Sequence, residues 1–144
     1  MNIEIVGKFF DNHSLSIVNR NLAIELDKIF ENTDNKITIT PIDQFNPDAK
    51  VNKTIAKRLI ELSKIKPDII DIQLRHTYPP MWVWPNNPKT KVVFIQPWEF
   101  SRVPFEWQYK FETFADHLVT YSNWTRDRFV ESGIDPRKIS AINP

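Results

Sequence analysis

The amino-acid sequence predicts an α/β fold, with one domain built on an open parallel sheet and helices on both faces. Short apolar runs of strand length alternate with longer segments in which apolar residues recur at helical spacing. The run at 92–95 is apolar at every position, as expected for a strand that is covered on both faces. At 144 residues the chain is about one domain long. Together these observations predict a Rossmann-like sheet.

Local signals set the bounds of the elements. Ser14 is a favourable N-cap for the first helix, Pro41 ends the second strand, Pro67 ends the second helix and Gly133 ends the last helix. The first helix carries an apolar stripe made of Leu15, Val18, Leu22, Leu26 and Ile29. In chain order, the strands are predicted at 2–6, 36–40, 68–74, 91–95, 117–121 and 139–142, and the helices at 15–30, 51–65, 105–115 and 123–132.

The segment 75–90 is predicted to lie on the surface. Its prolines, at positions 79, 80, 85 and 88, are incompatible with a helix or a central strand. Its first two residues, Arg75 and His76, directly follow the end of the third predicted strand. This pair is interpreted either as a cleft acid with an anion clamp or as a structural hydrogen-bonding corner.

Composition excludes several classes of function. A net charge of +1 gives no reason to expect a nucleic-acid partner, and the absence of cysteine excludes disulfides and a cysteine nucleophile. The chain has only two glycines, Gly7 and Gly133, which are too few for a G-x-G-x-x-G motif and too far apart for a P-loop motif, so we expect no dinucleotide cofactor. No metal is implied. The first residues carry neither a signal peptide nor a membrane span, so we expect a cytoplasmic location.

Two places at the predicted carboxyl edge of the sheet could bind a ligand. His13 and Ser14 precede the first helix, where free N–H groups favour an anion such as phosphate; a simple helix cap is the alternative. Gln96, Trp98 and Glu99 follow the fourth strand, where open α/β sheets bind their ligands. A tryptophan beside a carboxylate suits a sugar, although Trp98 could equally be a packing residue.

Four segments, 14–23, 75–80, 96–100 and 122–127, resemble the N-terminal domain of family 4 glycosyltransferases of the GT-B fold. They read SLSIVNRNLA, RHTYPP, QPWEF and SNWTRD and occur in the order of that family. The stretch 122–142 also resembles the segment that precedes the crossover into the second domain of these enzymes. The resemblance covers the whole chain.

The resemblance implies half of a two-domain retaining enzyme. Such an enzyme moves a sugar from a nucleoside-diphosphate sugar to a hydroxyl acceptor on a sugar, a lipid-linked group or a protein. The N-terminal domain mainly receives the acceptor, and the C-terminal domain, which we expect outside these residues, holds most of the donor. We therefore expect this half alone to be inactive.

The resemblance also implies roles for individual residues. It places Asn12, His13 and Ser14 beside the donor phosphates. Gln96 and Glu99 would line the acceptor side, with Glu99 orienting the acceptor hydroxyl. The remaining candidates are His76 as a catalytic residue and Arg75, Tyr78 and Trp98 as substrate-binding residues.

Two alternatives stay open. The basic helix at 51–65 could contact an anionic membrane surface, because many related enzymes use lipid-linked acceptors, or it could be a solvated outer helix. The domain as a whole could be a non-catalytic carbohydrate-binding or protein-interaction module that has kept the same fold.

Overall fold

The computed structural model describes residues 1–46 and 48–142 and confirms the predicted Rossmann-like α/β fold. A six-stranded, all-parallel sheet with the strand order β2-β1-β3-β4-β5-β6 is flanked by four helices. The strands are β1 (Asn2–Gly7), β2 (Lys36–Pro41), β3 (Ile72–His76), β4 (Lys91–Ile95), β5 (His117–Thr120) and β6 (Ile139–Ala141). The helices are α1 (Ser14–Phe30), α2 (Lys53–Lys64), α3 (Phe105–Phe114) and α4 (Asn123–Glu131), and a 3₁₀ turn spans Pro136–Lys138.

The strand order reverses direction at β1. The chain passes from β1 outward to β2 and then returns across β1 to β3, from which it continues to the other edge. In open parallel sheets a crevice forms where the order reverses, outside the carboxyl ends of the strands. The fold therefore places the expected ligand crevice beside the ends of β1 and β3.

Two hydrophobic clusters of different character hold the sheet. Around β1 and β2 the buried side chains are mainly aliphatic, and around β4 and β5 they are rich in aromatic rings that meet edge to face. The aliphatic cluster includes Ile5, Ile37, Ile39, Leu59 and Leu62, and the aromatic cluster includes Phe94, Trp98, Phe111 and Phe129. The aromatic cluster extends to the carboxyl edge of the sheet through Trp98.

The third strand differs from its prediction. β3 starts at Ile72 and continues to His76, so Arg75 and His76 belong to a central strand and not to a surface segment. Arg75 pairs with Val6 on one side and with Phe94 on the other. The first proline of this segment is Pro79, and a proline disfavours strand structure at its own position but not three residues earlier. The prediction that 75–90 lies on the surface was therefore wrong for Arg75 and His76.

The first helix has close to the predicted length, but its buried face is only partly the predicted one. Its buried residues are Ser16, Asn19 and Ala23. Of the predicted apolar stripe, Leu22 and Leu26 pack partly buried against the aliphatic cluster, whereas Val18 and Ile29 are exposed. Small and polar side chains allow the helix to approach the sheet closely. Ser14 is the first helical residue and not the N-cap; the N-cap position is His13, which makes no side-chain capping bond.

Candidate functional site

A cleft of about 450 Å³ lies at the carboxyl edge of the sheet. A smaller cavity of about 180 Å³ adjoins it and shares His13, Leu15 and Tyr78 with it. The main cleft is lined by His13, Ser14, Leu15, Val18, Tyr78, Pro97, Trp98, Glu99, Phe100 and Tyr121, and the smaller cavity adds Lys8, Ile42, His76 and Thr77. The walls of the main cleft thus combine aromatic rings with a few polar groups, as in sites that bind small ligands.

The β4 loop, residues 96–100, forms one wall of this cleft and carries polar atoms without partners. The Gln96 side chain is 1% exposed and donates from Nε2 to the carbonyl of Pro97 at 3.1 Å, but its Oε1 accepts no hydrogen bond from the described residues. Trp98 is 9% exposed, and its indole Nε1 has no partner in the same part of the chain. Glu99 is exposed at the cleft. Buried polar atoms without partners are rare, and a bound ligand is one of their explanations.

The β1 loop, residues 8–13, contributes His13 to the lining of the main cleft, and several of its backbone groups are bonded within the protein. The N–H groups of Phe9 and Phe10 donate to the two carboxylate oxygens of Asp43 at 2.9 and 2.7 Å. Arg20 donates to the carbonyls of Phe9 and Asp11, at 2.8 Å in each case. These N–H groups are therefore occupied by a protein carboxylate and are closed to an external anion.

Asp11 adds a negative charge to the same loop. Partial burial opposes its ionisation, but hydrogen bonds from the Ser16 hydroxyl and the His13 N–H, together with the charge of Lys8, outweigh burial and lower its pKa. An ionised carboxylate so close to the start of α1 weakens the attraction of the helix N-terminus for a phosphate.

A buried hydrogen-bonded chain connects α1, β3 and the end of β5. His76, which is 0% exposed, lies with Nδ1 2.6 Å from Oδ1 of Asn19 and with Nε2 2.7 Å from the hydroxyl of Tyr121. The Asn19 amide nitrogen donates to the carbonyls of Lys8 and His76 at 3.0 and 3.2 Å. Tyr121 lines the main cleft and His76 lines the smaller cavity, so their hydrogen bond lies at the junction of the two.

The direction of these hydrogen bonds follows from Asn19. Because its amide nitrogen faces two carbonyl oxygens, its Oδ1 must be the atom that faces His76, and Oδ1 can only accept. His76 Nδ1 therefore carries the proton, and Nε2 accepts the hydroxyl proton of Tyr121. Burial lowers the pKa of His76 to about 4 and raises the pKa of Tyr121 to about 12. Both groups are neutral near pH 7.

Gly7 makes this arrangement possible at the end of β1. A β-carbon at Gly7 would lie 2.4 Å from Nδ2 of Asn19 and 2.7 Å from the carbonyl oxygen of His76. A larger residue would push Asn19 away from the two carbonyls to which it donates. Glycine is therefore required here by the close approach of α1 and β3.

Arg75 lies in the sheet and anchors the proline-rich segment. Its guanidinium donates to Oε1 of Gln73 at 2.7 Å, to the carbonyl of Met81 at 2.9 Å and to the carbonyl of Val83. It also lies 5.6 Å from the centre of the Phe94 ring. Burial lowers the pKa of Arg75. Of the two interpretations of the Arg75–His76 pair, the geometry of Arg75 fits the structural corner.

The proline-rich segment contributes one residue to the cleft. Tyr78 is more than half exposed, lines both cavities and packs edge to face on Trp107 with ring centres 5.8 Å apart. Trp82 packs into the aromatic cluster, whereas Trp84 lies on Phe114 with ring centres 4.6 Å apart. Tyr78 is thus the residue of this segment that a ligand in the cleft could contact.

The structure brings together some of the sequence-predicted site residues and separates others. His13, Ser14, Tyr78, Trp98 and Glu99 line one cleft, and His76 lies in the cavity beside it. The others do not line the cleft: Gln96 lies beneath it, Arg75 lies in the sheet, and Asn12 accepts a hydrogen bond from the N–H of Lys50 at 3.1 Å. The residues that sequence reasoning missed include Asn19, Tyr121, Leu15, Val18 and Phe100.

A second concave surface of about 390 Å³ lies at the far end of α1, beside β2. Two of its charged groups, Arg58 and Asp27, are already paired, because Arg58 donates to both carboxylate oxygens of Asp27 at 2.7 Å and also to Glu61 at 3.1 Å. That surface lies away from the carboxyl ends of the strands. The cleft between the β1 and β4 loops is therefore the better candidate for a functional site.

The fold and the cleft define a Rossmann-like α/β domain with a cleft at the carboxyl edge of its sheet. Comparisons with protein-family models, with curated proteins and with solved structures found no match for the chain. Within residues 1–46 and 48–142, no group of three or more His, Cys, Asp or Glu side chains could hold a metal ion. None of the helices in this part of the chain is long and apolar enough to cross a membrane.

Proposed function

We propose that this chain is the acceptor-side domain of a retaining GT-B glycosyltransferase, which moves a sugar from a nucleoside-diphosphate sugar to a hydroxyl acceptor. The observation that carries the proposal is the β4 loop, where a tryptophan with an unpartnered indole N–H stands beside an exposed carboxylate in a cleft with further aromatic walls. Sugars offer apolar C–H faces to aromatic rings and hydroxyls to polar groups, so the lining suits them.

Glu99 is the residue to which we assign the orientation of the acceptor hydroxyl. Its carboxylate is exposed at the cleft, and no hydrogen bond or ion pair ties it to another described residue. A carboxylate accepts a hydrogen bond from a hydroxyl and fixes the direction of its lone pairs. Proton abstraction is not assigned to Glu99, whose role is to position the acceptor.

The donor phosphates are assigned to the first turn of α1. His13 and Ser14 line the cleft there, whereas the N–H groups of Phe9 and Phe10 are held by Asp43. The loop before α1 therefore offers few free backbone donors to a pyrophosphate. This agrees with a domain that contributes little to donor binding and relies on a C-terminal partner domain.

Turnover by the complete gene product tests the proposal. Nucleoside-diphosphate release from a panel of nucleotide sugars is measured with hydroxyl acceptors for the wild type, for Glu99→Gln and for Glu31→Gln as an exposed control at the far end of α1. We expect kcat/KM to fall about tenfold or more for Glu99→Gln only, because orientation of a reacting group is lost. Equal turnover by all three proteins would show that Glu99 does not orient the acceptor. No turnover by the wild type would contradict the proposed glycosyltransferase activity.

A non-catalytic carbohydrate-binding module is the second candidate function. The closed β1 loop favours it, because a domain that binds only a sugar needs no free N–H groups for phosphate. This candidate predicts that a free sugar binds as tightly as its nucleotide sugar. Isothermal titration of both ligands distinguishes the candidates.

Peripheral contact with an anionic membrane stays a prediction. A shallow surface on α2 combines the basic residues Lys53, Lys57 and Lys64 with the apolar residues Phe45 and Ile60. Flotation with anionic and with neutral vesicles tests it, since electrostatic contact requires the anionic lipid.

A further inference from the structure

Tyr121 lines the cleft, and its hydroxyl already donates its proton within the protein. It donates to Nε2 of His76 at 2.7 Å, and His76 is held in the Nδ1-protonated form by Oδ1 of Asn19 at 2.6 Å. Asn19 is fixed in turn by two backbone carbonyls. The chain of donors and acceptors therefore runs in one direction, from Tyr121 through His76 to Asn19.

A phenol that donates its only proton inward keeps only acceptor capacity on its oxygen. We propose that Tyr121 is a specificity-determining residue that accepts a hydrogen bond from a ligand hydroxyl and rejects a ligand without a donor at that position. This inference rests on the proposed function, because it takes the ligand to be a sugar. His76 and Asn19 are positioning residues, since they act through Tyr121.

The chemistry of the three groups supports acceptance and not proton transfer. A base at this position would have to pass a proton through Tyr121 to His76, and burial of His76 disfavours its charged form. The hydrogen-bonded chain therefore leaves the Tyr121 oxygen as an acceptor only. A ligand hydroxyl can donate to this oxygen, whereas a fluorine or an ether oxygen would place one acceptor against another.

The first test reads the polarity of the chain directly and needs no ligand. The protein has three histidines, so ¹⁵N-histidine labelling with the His76→Gln variant assigns the His76 ring nitrogens. We expect a protonated Nδ1 and an unprotonated Nε2 near neutral pH. A protonated Nε2 would overturn the inference, because Tyr121 would then have to accept from His76.

The second test couples Tyr121 to one ligand hydroxyl. Methyl glycosides of glucose, mannose, galactose and N-acetylglucosamine are titrated first, and the tightest is then used with each hydroxyl in turn replaced by fluorine. Binding to the wild type, to Tyr121→Phe and to Tyr109→Phe, an exposed tyrosine on α3 outside the cleft lining, is compared.

One fluorinated position is expected to weaken binding to the wild type and to Tyr109→Phe by about 3- to 10-fold, the value of one hydrogen bond, and to have little effect on Tyr121→Phe. Equal effects of every fluorine on wild type and Tyr121→Phe would overturn the role of Tyr121 while leaving sugar binding intact. No binding of any glycoside to the wild type would overturn both this inference and the proposed function. The two failures are therefore distinguishable.

Discussion

The β1 and β4 loops leave the same edge of the sheet and both contribute to the lining of the cleft, yet their polar groups are paired differently. In the β1 loop, Asp43 and Arg20 bind backbone groups of Phe9, Phe10 and Asp11. In the β4 loop, Gln96 Oε1 and Trp98 Nε1 stay without partners among the described residues. We call the β1 loop closed, because the protein binds its polar groups, and the β4 loop open, because two of its buried polar atoms stay unpaired.

This difference separates structural from functional residues better than residue type does. Both loops contain acidic and aromatic side chains, so their composition alone does not show which of them binds a ligand. Hydrogen-bond satisfaction distinguishes them, because native proteins pair nearly all buried polar groups and leave exceptions where another partner is expected. The account therefore predicts that variants of the closed loop lose stability and that variants of the open loop lose binding.

The largest effect is expected from Asp43→Ala, which opens the closed loop. The N–H groups of Phe9 and Phe10 would lose a charged acceptor in a partly buried place, so the free energy of unfolding should fall by about 3 kcal/mol. Urea unfolding measures this change. Asp34→Ala, an exposed carboxylate between α1 and β2, is the control and should change stability by less than about 0.5 kcal/mol. Similar values for both variants would contradict a closed β1 loop.

Gly7→Ala should also act on the closed side, with a loss of about 2 kcal/mol. The new β-carbon would clash with Asn19 and with the carbonyl of His76. Because part of the clash is with the Asn19 side chain, the same change should cost less in an Asn19→Ala background. A double-mutant cycle by urea unfolding measures the coupling, and strict additivity would show that Asn19 does not fill this space.

The buried His76 between the two loops should make stability depend on pH. Its folded pKa of about 4 lies below the unfolded value of 6.5, so the unfolded chain binds a proton first as the pH falls. This contribution is complete above about pH 6.5, declines as the pH falls to about 4, and is then constant. Between about pH 7 and pH 5 it should lower the free energy of unfolding by roughly 2 kcal/mol.

The His76→Gln variant isolates that contribution. Its stability should change less than that of the wild type over the same pH range, whatever its absolute value, because glutamine does not titrate. The two unfolding curves are compared at each pH. If both proteins lose the same free energy, His76 does not carry the effect.

The smallest change in stability is expected for Glu99→Gln in the open loop. Its exposed carboxylate makes no hydrogen bond or ion pair with another described residue, so the free energy of unfolding should stay within about 0.5 kcal/mol of the wild type. Thermal unfolding measures this value beside the activity assay of the same variant. A loss of more than about 1 kcal/mol would assign Glu99 a structural role instead.

The sequence predicted the fold because strand and helix signals repeat along the whole chain. It also located the open loop, since a buried apolar run that ends in polar residues marks the carboxyl end of a parallel strand. The closed loop was not predictable from local signals, because Asp43 lies 34 and 33 positions from the residues whose N–H groups it binds. His76 and Asn19 are 57 positions apart, and only the packing of α1 on the sheet brings them together.

The helical pattern also concealed Asn19. An apolar stripe predicts which face of a surface helix is buried, but α1 packs closely at Gly7 through small and polar residues. Asn19 is buried there because its amide meets two carbonyls. A polar residue in a helix beside a glycine at the end of a strand is the signal that could have indicated this contact.

An NMR titration tests whether a ligand binds at the β4 loop. ¹⁵N-labelled protein, in which the indole N–H signals of the five tryptophans report separately, is titrated with the tightest-binding glycoside and its nucleotide sugar. We expect shifts at the indole N–H of Trp98 and at the backbone of the β4 loop, with the N–H signals of Phe9 and Phe10 unchanged. Shifts confined to the β1 loop, or an unaffected Trp98 indole at saturation, would contradict the assignment of the open loop as the ligand site.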